Sequence, residues 1–518
     1  MIKNFKWLLL VSLTFVACNN DDETASVVSN SSDGLPLTSG SANFSKYVAL
    51  GNSLTAGYSD SALFIEGQKA SYTNILSQQF SLIGGGEFKI PFMSDNVGGL
   101  LLGGTQIQGP RLYFNGAAPV PVSGTPSTEI TNHLTGAYNN MGVPGAKSFH
   151  LLAAGYGNVA GVATGQANPY YVRFASSPTS KIIDDATVQN PTFFSLWIGN
   201  NDVLSYATSG GTGINQTGNL NPATYGSNDI TDPNVFSSVY NTLLTNLTAN
   251  GAKGVVANIP YVTSVPFFTT VPTNPIPGLP AASAAQLNQL FGGINAALTA
   301  NGLPTRFVTL VADDGNSATV EANPLLIKDE SLLNISAQIT VALTPSLGAQ
   351  TAGYLGSIYG QARHAKNTLP NKDYILLTAR GVIGTTQAGA PAPFNTVGVS
   401  YPMQDGTTLT ASETAEVKTA TDAYNASIRA LATAKGLAFV DANATLVQVA
   451  NGGISGGGFN VTSNYVSGGG FSLDGVHPSP RGYALIANKF LEAINTTYGS
   501  NLKGVNLGDY RILFPASF

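Results

Sequence analysis

The sequence predicts an α/β fold, a mostly parallel sheet with helices on both of its faces. Short apolar runs alternate with longer segments whose apolar residues recur at helical spacing. This alternation supplies the crossover connections that parallel strands need and returns each helix onto the sheet. Long glycine-rich stretches interrupt the pattern and read as insertions growing out of one elaborated domain.

In chain order, Tyr47 to Gly51 is a short apolar run ending in the turn Gly51-Asn52-Ser53-Leu54. Ser71–Phe80 follows, with Tyr72, Ile75, Leu76 and Phe80 at helical spacing. Thr192–Ile198 suits a central strand buried on both sides. Asp232 then reads as an N-cap and Pro233 as the first helical residue. Val235, Phe236, Val239, Tyr240, Leu243, Leu244 and Leu247 mark one face of that helix, and Gly251 ends it. Gly254–Ile259 returns as a strand. Ser412 to Lys435 repeats the scheme, with Gly436 as its stop and Leu437–Val440 as the next strand. Ser479-Pro480 opens the last helix, which turns Tyr483, Ile486, Ala487, Phe490, Leu491 and Ile494 toward the core. The interruptions are residues 81–138 and 262–410. The second holds a helical segment, Ser283 to Ala300, and a strand-like Tyr374–Thr378. Loops of that length in a compact domain commonly serve as lids or binding surfaces.

Composition narrows the function classes. The chain has 518 residues, 43% hydrophobic and only 10% charged, with a net charge of −5, which describes a large core under polar, uncharged loops. No Lys/Arg cluster offers a nucleic-acid footprint. The glycine clusters at 84–86, 456–458 and 468–470 do not open helices, which argues against a phosphate loop. His133, His150 and His364 lie far apart without an i, i+4 partner, so neither a metal nor any other cofactor is expected. Asp184-Asp185 and Asp313-Asp314 read as loop or cap residues.

Chemistry concentrates in four short segments. Ser53 follows the first strand, at the sheet edge where open α/β folds place ligands. A serine hydroxyl is a weak nucleophile and needs a base to take its proton. His477 is the candidate base, and Asp474, three residues earlier, can hold its tautomer. An attacked carbonyl also needs donors aimed at its developing oxyanion. The N–H of Gly145, the N–H of Ser53 and the side-chain amide of Asn201 are the candidates.

With these residues the chain resembles the SGNH hydrolases, also called the GDSL lipase/esterase family. Ser53 matches the nucleophile, Gly145 and Asn201 the oxyanion donors, and Asp474-Gly475-Val476-His477 the D-x-x-H of the last block. Asn52 departs from the more usual Asp at a position that is not the catalytic acid. The resemblance implies a three-layer α/β/α fold and ester hydrolysis without a cofactor.

The N-terminus adds an address. Met1 to Lys6 is basic and Trp7 to Ala17 apolar, a run that fits a secretory signal better than a membrane span. Phe15-Val16-Ala17-Cys18 resembles a bacterial lipobox, which implies a signal over 1–17 and a lipidated Cys18, the single cysteine. Residues 18–42 then read as a flexible polar stalk before the domain at 43–518. Asp21-Asp22-Glu23 resembles an outer-leaflet signal.

The expected protein is therefore an exported serine esterase or lipase, lipid-anchored at the bacterial outer membrane. Its partner is an ester substrate, either a lipid or an acylated glycan. The alternative is a surface lipoprotein that binds lipids or glycans and assists an outer-membrane transporter. Pro260 to Phe268, after a strand end, either lines an acyl pocket or packs on the core.

Overall fold

The computed structural model describes residues 31–518; the expected signal, Cys18 and the first part of the stalk lie outside them. Strands β1 (Tyr47–Gly51), β2 (Asn140–Gly142), β3 (Phe193–Trp197), β4 (Lys253–Ala257) and β5 (Ala438–Val440) form one parallel sheet in the order β5-β4-β3-β1-β2. The helices that bear on the site are α1 (Ser53–Ala56), α2 (Tyr72–Ser81), α3 (Asn201–Thr208), α4 (Pro233–Thr248), α5 (Ala281–Ala300), α6 (Ser336–Tyr359), α7 (Ala411–Ala434), α8 (Ala442–Ala450) and α9 (Pro480–Tyr498).

All of β1 and β3 is buried. Successive side chains of a strand point to opposite faces, so both faces of the sheet are covered. On one face α2 packs with α9. Tyr72 meets Trp197 edge-on at 5.7 Å between ring centroids, and Phe193 meets Tyr498 at 5.9 Å. The other face belongs to α4 and α7, where Phe236 stacks on Tyr424 at 4.2 Å. Asp232 caps α4 as expected, accepting from the N–H groups of Asn234 and Val235. The chain runs from β1 to β2 on one side and then through β3, β4 and β5 on the other. That reversal makes β1 the switch point of the sheet, and its carboxyl end is where such folds bind ligands.

The insertions are more structured than their composition suggests. Residues 81–138 carry two small hairpins, Leu100–Leu102 with Thr105–Gln108 and Leu112–Phe114 with Pro119–Pro121. Between them the buried Arg111 donates to the carbonyls of Asn96 and Pro515, fastening the insertion to the chain's last residues. Residues 262–410 build a second core from α5 and α6, with Phe291 stacked on Phe307 at 4.9 Å and edge-on to Tyr359 at 5.7 Å. The expected strand Tyr374–Thr378 shrinks to Tyr374–Ile375, and the chain turns into a short 3-10 segment at Leu377–Gly381. From Ser32 to Ala42 the presumed stalk lies along the end of α9, with Ser32 N–H on the Asn501 carbonyl and Ser41 N–H on that of Tyr498. That part of 18–42 belongs to the folded body.

Buried charge joins the second core to α7. Arg363 donates to Asp329 at 2.6 Å and, through both terminal nitrogens, to Asp373 at 2.6 and 2.7 Å. Asp373 also accepts the N–H of Ala411 at the start of α7. Beside it, Glu413 caps its own helix, accepting from Thr410 N–H and Oγ1. Burial and the nearby Glu330 push its carboxyl up to about 8. A group raised in this way favours the fold fully below its unfolded pKa, and that contribution is lost as pH rises through the folded value. The melting temperature should therefore fall as pH rises from about 4.5 to about 8. Glu413→Gln, which cannot ionise, should flatten that fall; an unchanged slope would remove Glu413 as its source.

Candidate active site

Strand register places the first half of the site. Gly51 of β1 pairs with Gly142 of β2 on one side and Trp197 of β3 on the other, so all three strands end together. The next few residues of each strand carry Ser53, Gly145 and Asn201, which brings these side by side with Ser53 in the middle. Gly51 tolerates no side chain, because a Cβ there would lie 2.2 Å from Thr55 Oγ1 and 2.4 Å from the Trp197 carbonyl oxygen. The Asn52 side chain caps α1 by accepting from Leu54 N–H, and its amide reaches Asn200. Asn52 thus supports the serine turn.

The donors face the same edge. Among the described residues the Ser53 and Gly145 N–H groups have no hydrogen-bond acceptor. Gly145 has φ +81°, a left-handed conformation that suits glycine. The Asn201 amide donates one hydrogen to the Ala146 carbonyl at 2.9 Å, which orients the group and leaves its second hydrogen free. Asp202 locks the two elements together by accepting from Ser148 N–H at 2.8 Å and Ser148 Oγ at 2.7 Å.

The acid–base pair arrives from the loop before α9. His477 Nε2 lies 2.9 Å from Ser53 Oγ, and His477 Nδ1 lies 2.9 Å from Asp474 Oδ2. With Nδ1–H donating to the carboxylate, Nε2 is left to accept the serine proton. Burial raises the Asp474 carboxyl, but the charge of His477 and the N–H groups of His477 and Val476 outweigh it and hold the group at about 2. The carboxylate is therefore ionised throughout the neutral range.

Several supports were not legible in the sequence. The turn after α1 reaches back to the acid: Ser61 N–H donates to Asp474 Oδ2 at 3.0 Å, and Ser472 Oγ donates to its Oδ1 at 3.1 Å. Asp60 and Ser61 both have positive φ there, 50° and 66°. Asp60 accepts Leu473 N–H, and burial with the nearby Asp474 charge pushes its carboxyl up to about 7. The Tyr58 ring lies 4.6 Å from the His477 ring. Phe267 N–H donates to the Gly475 carbonyl, so the Pro260–Phe268 segment braces the same loop. Within that segment Val262 and Val265 line the cleft beside Ser53, while Phe267 and Phe268 pack into the core.

The remaining histidines have local partners. His133 Nε2 contacts the Ala175 carbonyl, and the Nδ1 atoms of His150 and His364 accept from Lys147 and Val308 N–H. Asp185 accepts from Tyr171 Oη and Ser176 N–H in its own neighbourhood.

Asp202 also faces the buried Lys147, whose ammonium donates to the Asp229 carbonyl. Asp202→Ala should therefore cost about 3–5 kcal/mol, the usual penalty for stranding a buried charge, while Asp202→Asn should cost less. Urea unfolding measures this, and a loss below about 1 kcal/mol would show that Asp202 does not hold the two elements together.

No family model, curated protein or solved structure matches this chain, so no family assignment rests on such a likeness.

Proposed function

We propose that this protein is a serine ester hydrolase of the SGNH type, with a three-layer α/β/α fold, exported and anchored to the bacterial outer membrane through a lipidated Cys18. The observation that carries the hydrolase reading is the continuous contact from Asp474 through His477 to Ser53, beside two unpaired N–H groups and an oriented amide. The anchor rests on the sequence of the first eighteen residues alone.

In the reaction, Ser53 Oγ attacks the ester carbonyl as its proton passes to His477 Nε2. The carbonyl oxygen becomes an oxyanion facing the N–H groups of Ser53 and Gly145 and the Asn201 amide. Asp474 holds the imidazole in its tautomer and stabilises it when charged. His477 then protonates the departing alcohol and leaves an acyl-Ser53. Water, deprotonated by the same nitrogen, attacks the acyl carbon, and Ser53 leaves with the proton restored. All of this needs only groups that the chain itself supplies.

A fluorophosphonate probe should label the wild type at Ser53, leave Ser53→Ala unmodified and react far more slowly with His477→Ala. Asp474→Asn should fold normally and lose about 10⁴-fold in kcat through the wrong tautomer. Robust labelling of Ser53→Ala would sink the assignment.

Asn201 meets the oxygen only once it carries charge, so it lowers the barrier without tightening the ground state. Asn201→Ala should therefore cost about 10²–10³ in kcat with KM nearly unchanged. A rise in KM with kcat spared would make Asn201 a binding residue instead.

A further inference from the structure

A single apolar cleft opens beside Ser53, His477 and Asn201 and continues between α8 and α9, with an empty volume of about 960 Å³ counting its open mouth. Its walls are two helical stripes. On α8 they are Ala442, Thr445, Leu446 and Val449; on α9 they are Leu485, Ile486, Lys489 and Phe490. The α8 set follows the i, i+3, i+4, i+7 spacing of one helix face, and the α9 set lies at i+3, i+4, i+7 and i+8 from Gly482, which also lines the cleft. Two such faces would ordinarily close on each other. Here Ala442 and Thr445, both short side chains, leave the gap between the two faces unfilled.

Resting on the hydrolase reading above, we infer that this slot holds a linear hydrocarbon chain of the ester, which makes the substrate an ester with a medium-length chain on one side of its carboxyl group rather than a short one on both. The slot is continuous with the reacting serine, so its occupant is part of the molecule under attack. Among its lining side chains away from the site, only Thr445 and Lys489 carry polar groups, and the Lys489 ammonium pairs with the exposed Glu492 at 2.8 Å. Apart from these two, the walls away from the site offer a sugar hydroxyl no side-chain partner. The length follows from the helices. From Ala442 to Val449 the stripe rises about 10 Å at 1.5 Å per residue. An extended chain advances about 1.2 Å per bond, so the slot takes roughly eight carbons.

The N-terminal insertion has no part in this. No residue of 81–138 lines the cleft, which is walled instead by α8, α9 and the Pro260–Val265 segment.

The test uses the wild-type protein and two series of esters, p-nitrophenyl esters from acetate to dodecanoate and acetates of linear alcohols of the same lengths. In one series kcat/KM should rise by up to about fourfold per methylene, the transfer value for full burial, and stop rising near eight carbons. The series that rises identifies which half of the ester enters the slot. Leu446→Trp should lower the ratio of octanoyl to acetyl turnover (or octyl to ethyl) by at least about tenfold and move the optimum to shorter chains. Thr445→Leu, a smaller change, should move it the same way in a protein that melts normally. A preference for the shortest ester in both series, or chain-length profiles unchanged in both variants, would overturn the slot assignment while leaving the hydrolase reading intact. Failure to turn over any ester, with Ser53 inert to fluorophosphonate, would overturn both.

Discussion

The common ending of three parallel strands is the constraint on which the rest of the site depends. Gly51 is paired with Gly142 and with Trp197, so the loops that follow begin at one level. The serine turn is flanked by one loop that offers a backbone N–H and another that offers a side-chain amide. A slip of one residue in either pairing would turn alternate side chains to the other face of the sheet and carry Gly145 or Asn201 away from Ser53. The burial of every residue in β1 and β3 protects this register, because a slip would unseat the aromatic contacts of Phe193 and Trp197 with α2 and α9.

The acid–base pair depends on a different kind of restraint. Its loop belongs to no strand, and contacts from distant parts of the chain hold it: Ser61 and Ser472 on Asp474, Phe267 on Gly475, and Ser59 Oγ on the Pro478 carbonyl. A buried carboxylate is costly unless donors surround it. Asp474 accepts from His477, Val476, Ser61 and Ser472, and it stays charged. Asp60, close by with fewer donors, is pushed the other way. The contrast shows how a charged partner and a supply of hydrogen bonds decide which way two similarly buried acids shift.

The large insertion is a packed body with its own aromatic centre, joined to α7 through Arg363 and Asp373. A buried ion pair of this kind adds little net stability over an apolar substitute, but removing one partner is expensive. Its effect is to specify how the second core meets the first. The cleft lies on the opposite side of this division of labour. It is lined by α8 and α9 of the sheet domain together with the Pro260–Val265 segment and the residues around Ser53.

The sequence by itself determined the alternation of strands and helices, the starts of α4 and α9, and which residues to look for at the candidate site. Those features depend on local periodicity, capping and turn chemistry, which neighbours in sequence carry: Asp232-Pro233, Ser479-Pro480, the turn at Ser53 and the pair Asp474 and His477. It did not disclose α6, because Pro345 lies inside that helix and Gly348, at φ +77°, breaks it. Only the two parts packing on α5 hold it together. Nor did it show that Ser61 and Ser472 would serve Asp474, or that stripes on α8 and α9 would face each other across a gap. Ser61 and Asp474 are 413 residues apart in the chain. Contacts of that kind leave no periodic trace, and whether two apolar faces meet or leave a slot is decided by their relative placement, which only the tertiary structure sets.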